Sequence, residues 1–270
     1  MQRWKFFGNA ALTRAVREAG PAITYVGTPA QVSPAFLSGV PRSRDRLFYT
    51  GMAVAAAATV FIGFSRTYFL RFQFQPTSLP TYLRVHGAVF SLWMLLFVVQ
   101  TSLVAGGRRD FHRRLGWVGA ALAAAMVVVA VTAAIISGRR DIANGFEREA
   151  LTFLTTPLSS MAVFLVLVGS AIACRRQLET HKRLMLLATI SILDAATARW
   201  PIAIVAGSSL GYYGAVDLFI VSAIVYDIAS SHRVHAVYVW GGLLIVASQL
   251  LREVLGRTEA WHAIARMILE

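Results

Sequence analysis

From Leu47 onward, long apolar runs alternate with short polar connections. The runs cover roughly 47–70, 83–105, 115–137, 157–174, 184–206, 211–229 and 236–251. About 20 helical residues suffice to cross the hydrocarbon core of a bilayer. The pattern therefore predicts an all-α integral membrane fold with about seven transmembrane helices, arranged as one leading helix and three hairpins (second with third, fourth with fifth, sixth with seventh). The fourth and seventh runs are short and the sixth carries acids, so six and eight crossings remain alternatives.

The flanks are different. Met1 to Ala19 sets Trp4, Phe6, Phe7, Leu12 and Val16 among Arg3, Lys5, Arg14 and Arg17. This is the pattern of a basic amphipathic helix on an anionic membrane face; a poorly ordered extension is the plainer alternative. Gly20-Pro21 ends it, and the stretch to residue 45 reads as an irregular linker. No adequate apolar h-region follows the basic residues, so a cleavable signal peptide is not expected. The expected organisation is a cytoplasmic extension over 1–45, a transmembrane domain over 46–252 and an interfacial C-terminal helix over 253–270. In the last, Trp261, Ile264 and Ile268 recur at helical intervals.

Composition agrees with the membrane reading. The chain is 57% hydrophobic and 14% charged, with mean hydropathy +0.60, displaced in both directions from a soluble domain. The net charge of +13 lies in short connections between apolar runs, which fits membrane topology and not a nucleic-acid face. With the N-terminus inside, sixteen Lys and Arg fall on the cytoplasmic side and nine on the other, so an N-inside, C-outside arrangement in a bacterial inner membrane is expected. Cys174 is the single cysteine, which removes an intrachain disulfide or a Cys-based zinc site. Lys5 and Lys182 are the only lysines and neither lies within a run, so seven helices here do not imply a retinal Schiff base. Walker A, HExxH and GxSxG patterns are missing, and a non-enzymatic protein is the leaning.

One pattern recurs three times: a basic turn, a histidine, then an apolar run. It occurs at RRDFHRRLGW with His112, at RRQLETHKRLML with His181, and more weakly at SSHRVHAVYVWGG with His232. All three histidines fall at helix starts on the expected cytoplasmic side. Two histidines from different helices at equal depth can supply both axial imidazoles of haem b. Neighbouring cations, Arg113, Arg114, Lys182 and Arg183, would then hold its propionates. The plainer reading is anchoring of His-Arg helix starts to acidic lipid head groups.

Ionisable groups within the runs are the other pointers, since each costs roughly 2.5–3.5 kcal/mol in lipid even on the mildest scale. In the second run His86, Phe90, Trp93, Phe97 and Gln100 share one helical stripe, which should face the bundle interior. Asp194 and Arg199 lie in the fifth run and Asp217 in the sixth. By depth, Gln100, His112 and His181 (with His232 or His235) form an inner set. His86, Arg199 and Asp217, with Asp194 beneath, form an outer polar cluster suited to an anion, a proton or a quinone head group. Its plainer reading is an Arg199–Asp217 ion pair that fixes helix packing. Asp227 is expected at the interface.

At HGAVFSLWMLLFVVQ, GRRDFHRRLGWVGA and HKRLMLLATISILDAATARWP the chain resembles a group of bacterial polytopic membrane proteins of uncharacterised activity, over roughly residues 46–251. Its HKRLM element is similar to that of a family implicated in maturation of haem–copper oxidases, and its HRRLG element resembles cytochrome b-like membrane proteins. The oxidase-maturation likeness implies His86, His112 and His181 as metal- or haem-contacting residues. Three functions stay open: a haem- or redox-associated role in respiratory-chain biogenesis or electron transfer, a small-solute or proton-coupled transporter, and an accessory scaffold subunit of a membrane complex. Expected cofactor-binding residues are His112, His181, His86, Gln100, Arg113 and Arg183. The expected surroundings are a bilayer with acidic lipids on the cytoplasmic face, and no nucleic acid.

Overall fold

The computed structural model describes residues 43–75 and 77–270. The amphipathic segment expected near the N-terminus lies outside the described residues. Within them the chain is all-α. Helix α1 (Ser43–Phe64) continues into a π-helical turn, Ser65–Phe69, and the short α2 (Arg71–Phe74) follows. Then come α3 (Thr81–Ala105), α4 (Arg109–Ala143), α5 (Glu147–Phe153), α6 (Thr155–Ala173) and α7 (Leu178–Ile190). The chain finishes with α8 (Asp194–Thr197), α9 (Ala203–Ala206), α10 (Ser209–Ser231), α11 (Ala236–Leu255) and α12 (Glu259–Leu269).

Among the described residues six helical stretches are long and apolar enough to cross a membrane: α1 with its π turn, α3, α4, α5 with α6, α10 and α11. Their outward faces are apolar, with Leu92 and Leu95 of α3, Val128 of α4 and Leu218 and Val225 of α10 all exposed. A soluble monomer rarely shows so much exposed apolar surface; a lipid-facing bundle requires it. The inward faces mix small and aromatic residues. On α3 the expected stripe is realised: Trp93 and Phe97 are buried, and the Trp93 indole donates to Thr189 Oγ1 at 3.3 Å.

Side-chain contacts fix which connections share an end. Arg46 donates to the carbonyl of Ala105 (3.1 Å), and Lys182 pairs with Asp45 (3.0 Å). Arg183 pairs with Asp227. The start of α1 and the α3–α4, α6–α7 and α10–α11 connections therefore gather at one end, which brings the three basic turns together. At the opposite end Tyr82 bonds Ser137 (3.2 Å), Ser209 donates to Glu253 (2.9 Å), and Arg139 donates to the carbonyl of Leu269 (2.8 Å).

The fifth expected crossing, 184–206, is not a continuous helix. Helix α7 stops at Ile190, and α8 and α9 are single turns. Local side chains compete for the backbone: Ser191 donates to the carbonyl of Ala188, Thr197 to those of Leu193 and Tyr212, and Asp194 Oδ1 accepts from the Ala195 amide. Such groups favour turns over helix continuation, and Pro201 disfavours helix at Trp200. Pro201 to Ile204 are exposed, whereas at the first break protein surrounds the chain: Leu186, Leu187, Ile190, Leu193 and Thr197 have no exposed surface, which shields the backbone freed there. Gly63 makes this possible from α1, because a Cβ there would lie 2.2 Å from the Ala196 carbonyl oxygen. Small residues let helix backbones approach this closely.

The C-terminal helix is not a purely interfacial element. In α12, His262, Ala265 and Leu269 are buried while Ile264 is exposed. Its inward face packs with Leu151 and Leu154, and Leu269 sits where a side chain on Gly138 would otherwise be. Thr258 caps it by accepting from the Trp261 amide (3.2 Å).

Candidate functional site

Three polar clusters occupy the bundle, and they differ in how far their hydrogen-bonding groups are satisfied.

The first lies at the end with the basic turns. His112, in the first turns of α4, and His181, in α7, stand with ring centroids 6.3 Å apart and planes at 78°. Helix α4 packs mainly on α3, α5 and α6, whereas α7 packs mainly on α6, α11 and α1. The two rings thus meet across helices that are not close-packed neighbours. His181 Nδ1 is 2.8 Å from the carbonyl oxygen of Ala171. A carbonyl only accepts, so Nδ1 carries the proton and Nε2 keeps the free lone pair, as in metal-ligating histidines held by an outer hydrogen bond. Gln100 donates through Nε2 to the carbonyl of His112 (3.3 Å). Among the described residues four polar atoms at this end are buried without a partner: His112 Nδ1, Gln100 Oε1, Thr50 Oγ1 and Arg46 Nε. Buried polar groups are nearly always satisfied in native proteins, and a cluster of exceptions marks a place for a missing partner.

Beside it is a satisfied network. Arg183 pairs with Asp227, which is 1% exposed, and with Glu179 at 2.5 Å. The guanidinium also lies over the ring of Tyr238, 5.6 Å from its centroid. Arg183 is therefore engaged and is not free for a propionate, contrary to expectation. Asp227 is no interface residue either. Besides Arg183, its carboxylate accepts from the His235 amide (2.8 Å), tying α10 to the start of α11. His235 caps α11 through Nδ1, which accepts from the Val237 amide (3.2 Å). Burial, together with the Arg183 charge, pushes the His235 imidazole below its ordinary pKa. His232 ends α10 in a left-handed conformation (φ 56°) and is exposed. Arg113 is exposed on α4.

The second cluster sits at the interruption of the fifth segment. Asp194 Oδ2 accepts from Ser160 Oγ of α6 (3.1 Å) and from Arg252 Nη1 of α11 (2.5 Å). Arg252 also donates to Ser160 and Ser248 and lies over the Tyr213 ring. Arg252 is 4% exposed. It ends the seventh apolar run, where it reads as one more far-side loop charge. The signal that could have found it is its place on the inward stripe with Gln249, Ile245 and Tyr238.

The third cluster disperses the rest of the expected outer set. Asp217 is held by Gln249 Nε2 (3.1 Å) and not by Arg199. Arg199 is exposed, bonds the carbonyl of Ala195 and lies over Phe64, 4.9 Å from the ring centroid. The expected Arg199–Asp217 pair is replaced because each group has a nearer partner on its own side. His86 stacks on Phe90 (4.3 Å) with Nδ1 buried and unpartnered. At 1.5 Å of rise per residue, it lies roughly 20 Å along α3 from Gln100. The structure does not bring His86 to the His112–His181 pair.

Among the described residues no group of three or more His, Cys, Asp and Glu side chains could hold a metal ion. The His112–His181 pair offers two imidazoles. Compared with known proteins, the chain matches no family model, no curated protein and no solved structure.

Proposed function

We propose that this multi-pass membrane protein binds haem b, or a related redox cofactor, between His112 and His181, and serves electron transfer or respiratory-chain biogenesis in a bacterial inner membrane. In this reading the interrupted 184–206 segment completes a seventh crossing, with the N-terminus and the three basic turns on the cytoplasmic side. The observation that carries it is the pair of imidazoles from α4 and α7, 6.3 Å between centroids. A porphyrin brings four nitrogens of its own, so two protein ligands suffice. The carbonyl of Ala171 orients His181 so that Nε2 is available as a ligand. Arg46 and Arg113, rather than Arg183, would hold the propionates. Bound haem would supply one-electron redox chemistry. Gln100 Oε1 would accept a hydrogen bond from a water attending the cofactor.

The test is a reduced-minus-oxidised absorption spectrum of protein purified in mild detergent after haem-supplemented expression. Sharp α and Soret bands, lost in His112→Ala or His181→Ala, are expected. A flat spectrum from folded protein overturns the reading.

A second reading rests on a different observation. The buried interruption at Asp194 resembles the broken helices that form midplane sites in transporters. Proton-dependent solute flux in proteoliposomes, abolished by Asp194→Asn, would support it. Flux that survives the substitution would exclude it.

A further inference from the structure

We infer that the outer face of the α3–α4 hairpin holds a single anionic phospholipid in a dedicated groove, independently of the His112–His181 site. The groove, about 360 Å³, is lined by Leu103, Arg108, Phe111, Arg114, Leu115 and Val118. Leu103 lies near the end of α3 and Arg108 at the turn, and Phe111, Arg114 and Leu115 follow in the first two turns of α4. Val118 is the deepest, nine residues past the start of α4, or roughly 14 Å at 1.5 Å per residue. Two guanidiniums near the turn among apolar side chains that continue deeper suit a lipid head group and the start of its acyl chain.

The charge argument selects an anionic lipid. Neither guanidinium makes an ion pair among the described residues, so both keep their charge available. Arg108 lies 5.2 Å from the centroid of the Phe111 ring, which holds it at the rim of the groove. The two guanidiniums can each bind one non-bridging oxygen of a phosphodiester, and their combined positive charge disfavours a choline cation and favours a head group of net negative charge. The wall is also open to the bilayer, because Phe111 and Val118 are 56% exposed. The His112 ring meets His181, whereas the exposed Phe111 and Val118 of the groove lie roughly 100° or more around α4 from His112 at about 3.6 residues per turn.

The test gives the purified full chain phosphatidylglycerol or phosphatidylcholine at equal mole fraction and counts retained lipid by native mass spectrometry. One phosphatidylglycerol should be retained in preference to phosphatidylcholine. The double variant Arg108→Gln/Arg114→Gln should reduce its retention by about tenfold or more, the scale of two cation contacts to an anionic lipid. Val118→Trp, which fills the apolar wall, should reduce it as well, and inorganic phosphate should not displace it. Arg175→Gln/Arg176→Gln, at the same end but outside the groove, is the control and should change nothing. Equal loss in that control, equal retention of the neutral lipid, displacement by phosphate or insensitivity to Val118→Trp each overturns the inference. The haem spectrum of the Val118→Trp protein should equal that of the parent, so the two proposals fail separately.

Discussion

Arg252 of α11 donates to Asp194 at 2.5 Å across 58 residues of chain, and Ser160 of α6 binds both partners. One ion pair thus joins the interrupted fifth segment to two continuous helices. Removing one partner leaves an uncompensated buried charge, which costs about 3–5 kcal/mol. Asp194→Ala and Arg252→Ala should therefore each lower the unfolding temperature in detergent sharply. The apolar double replacement Asp194→Leu/Arg252→Met should recover much of the loss. A double-mutant cycle on thermal unfolding measures the coupling, and additive single effects would show that the pair does not act as a unit.

His235 predicts a pH dependence. Its depressed pKa arises from burial first and then from Arg183; Asp227 and Glu179 oppose the shift and Arg233 adds to it. The folded state therefore prefers the neutral ring, whose Nδ1 accepts from the Val237 amide. Its stabilising contribution is full above the ordinary histidine pKa of about 6.5. It is lost as pH falls through that value toward the depressed one, because the unfolded chain then binds the proton more readily. The unfolding temperature should decline from pH 8 to pH 5. His235→Asn, which keeps a capping acceptor without a titrating ring, should flatten that slope.

Gln100 separates function from stability. Its Oε1 is buried without a partner, a condition that costs about 1–3 kcal/mol. Gln100→Leu should leave the cofactor-free protein as stable as the parent or more so. If the proposed site holds haem, the same variant should retain less of it. Thermal unfolding and the haem-to-protein ratio, measured on one preparation, read the two effects together.

The seat of α12 depends on one missing side chain. A Cβ on Gly138 would approach Leu269 Cδ2 to 2.9 Å, and overpacking of this kind costs about 1–3 kcal/mol. Gly138→Val should loosen α12 and open the chain around Gly256 to limited proteolysis. Unchanged protection would mean that Leu269 can move aside.

Much of the architecture is legible along the chain. Apolar runs of membrane length predict helices, because hydropathy and length are local properties that the bilayer reads directly. The three basic turns share one end because the chain alternates ends with each pass. Periodicity alone places Trp93, Phe97 and Gln100 on the inward stripe of α3. Equal depth for His112 and His181 is also legible, but their meeting across α4 and α7, which are not close-packed neighbours, is decided by the tertiary structure.

Other features exist only in three dimensions. Mean hydropathy does not distinguish a continuous helix from an interrupted one, so the break between Ile190 and Asp194 does not show in it; Ser191, Asp194, Thr197 and Pro201 are weak local signals that only the packing makes decisive. Which cation meets Asp194, and which acid meets Arg183, depends on helix rotation and neighbour choice, and sequence spacing carries neither. Arg252, Asp227 and Ser160 read alone as a loop charge, an interface acid and an ordinary polar residue. Packing turns the first two into buried partners of Asp194 and Arg183, with Ser160 bridging Asp194 and Arg252, because a charge taken out of water must find its complement within hydrogen-bond reach.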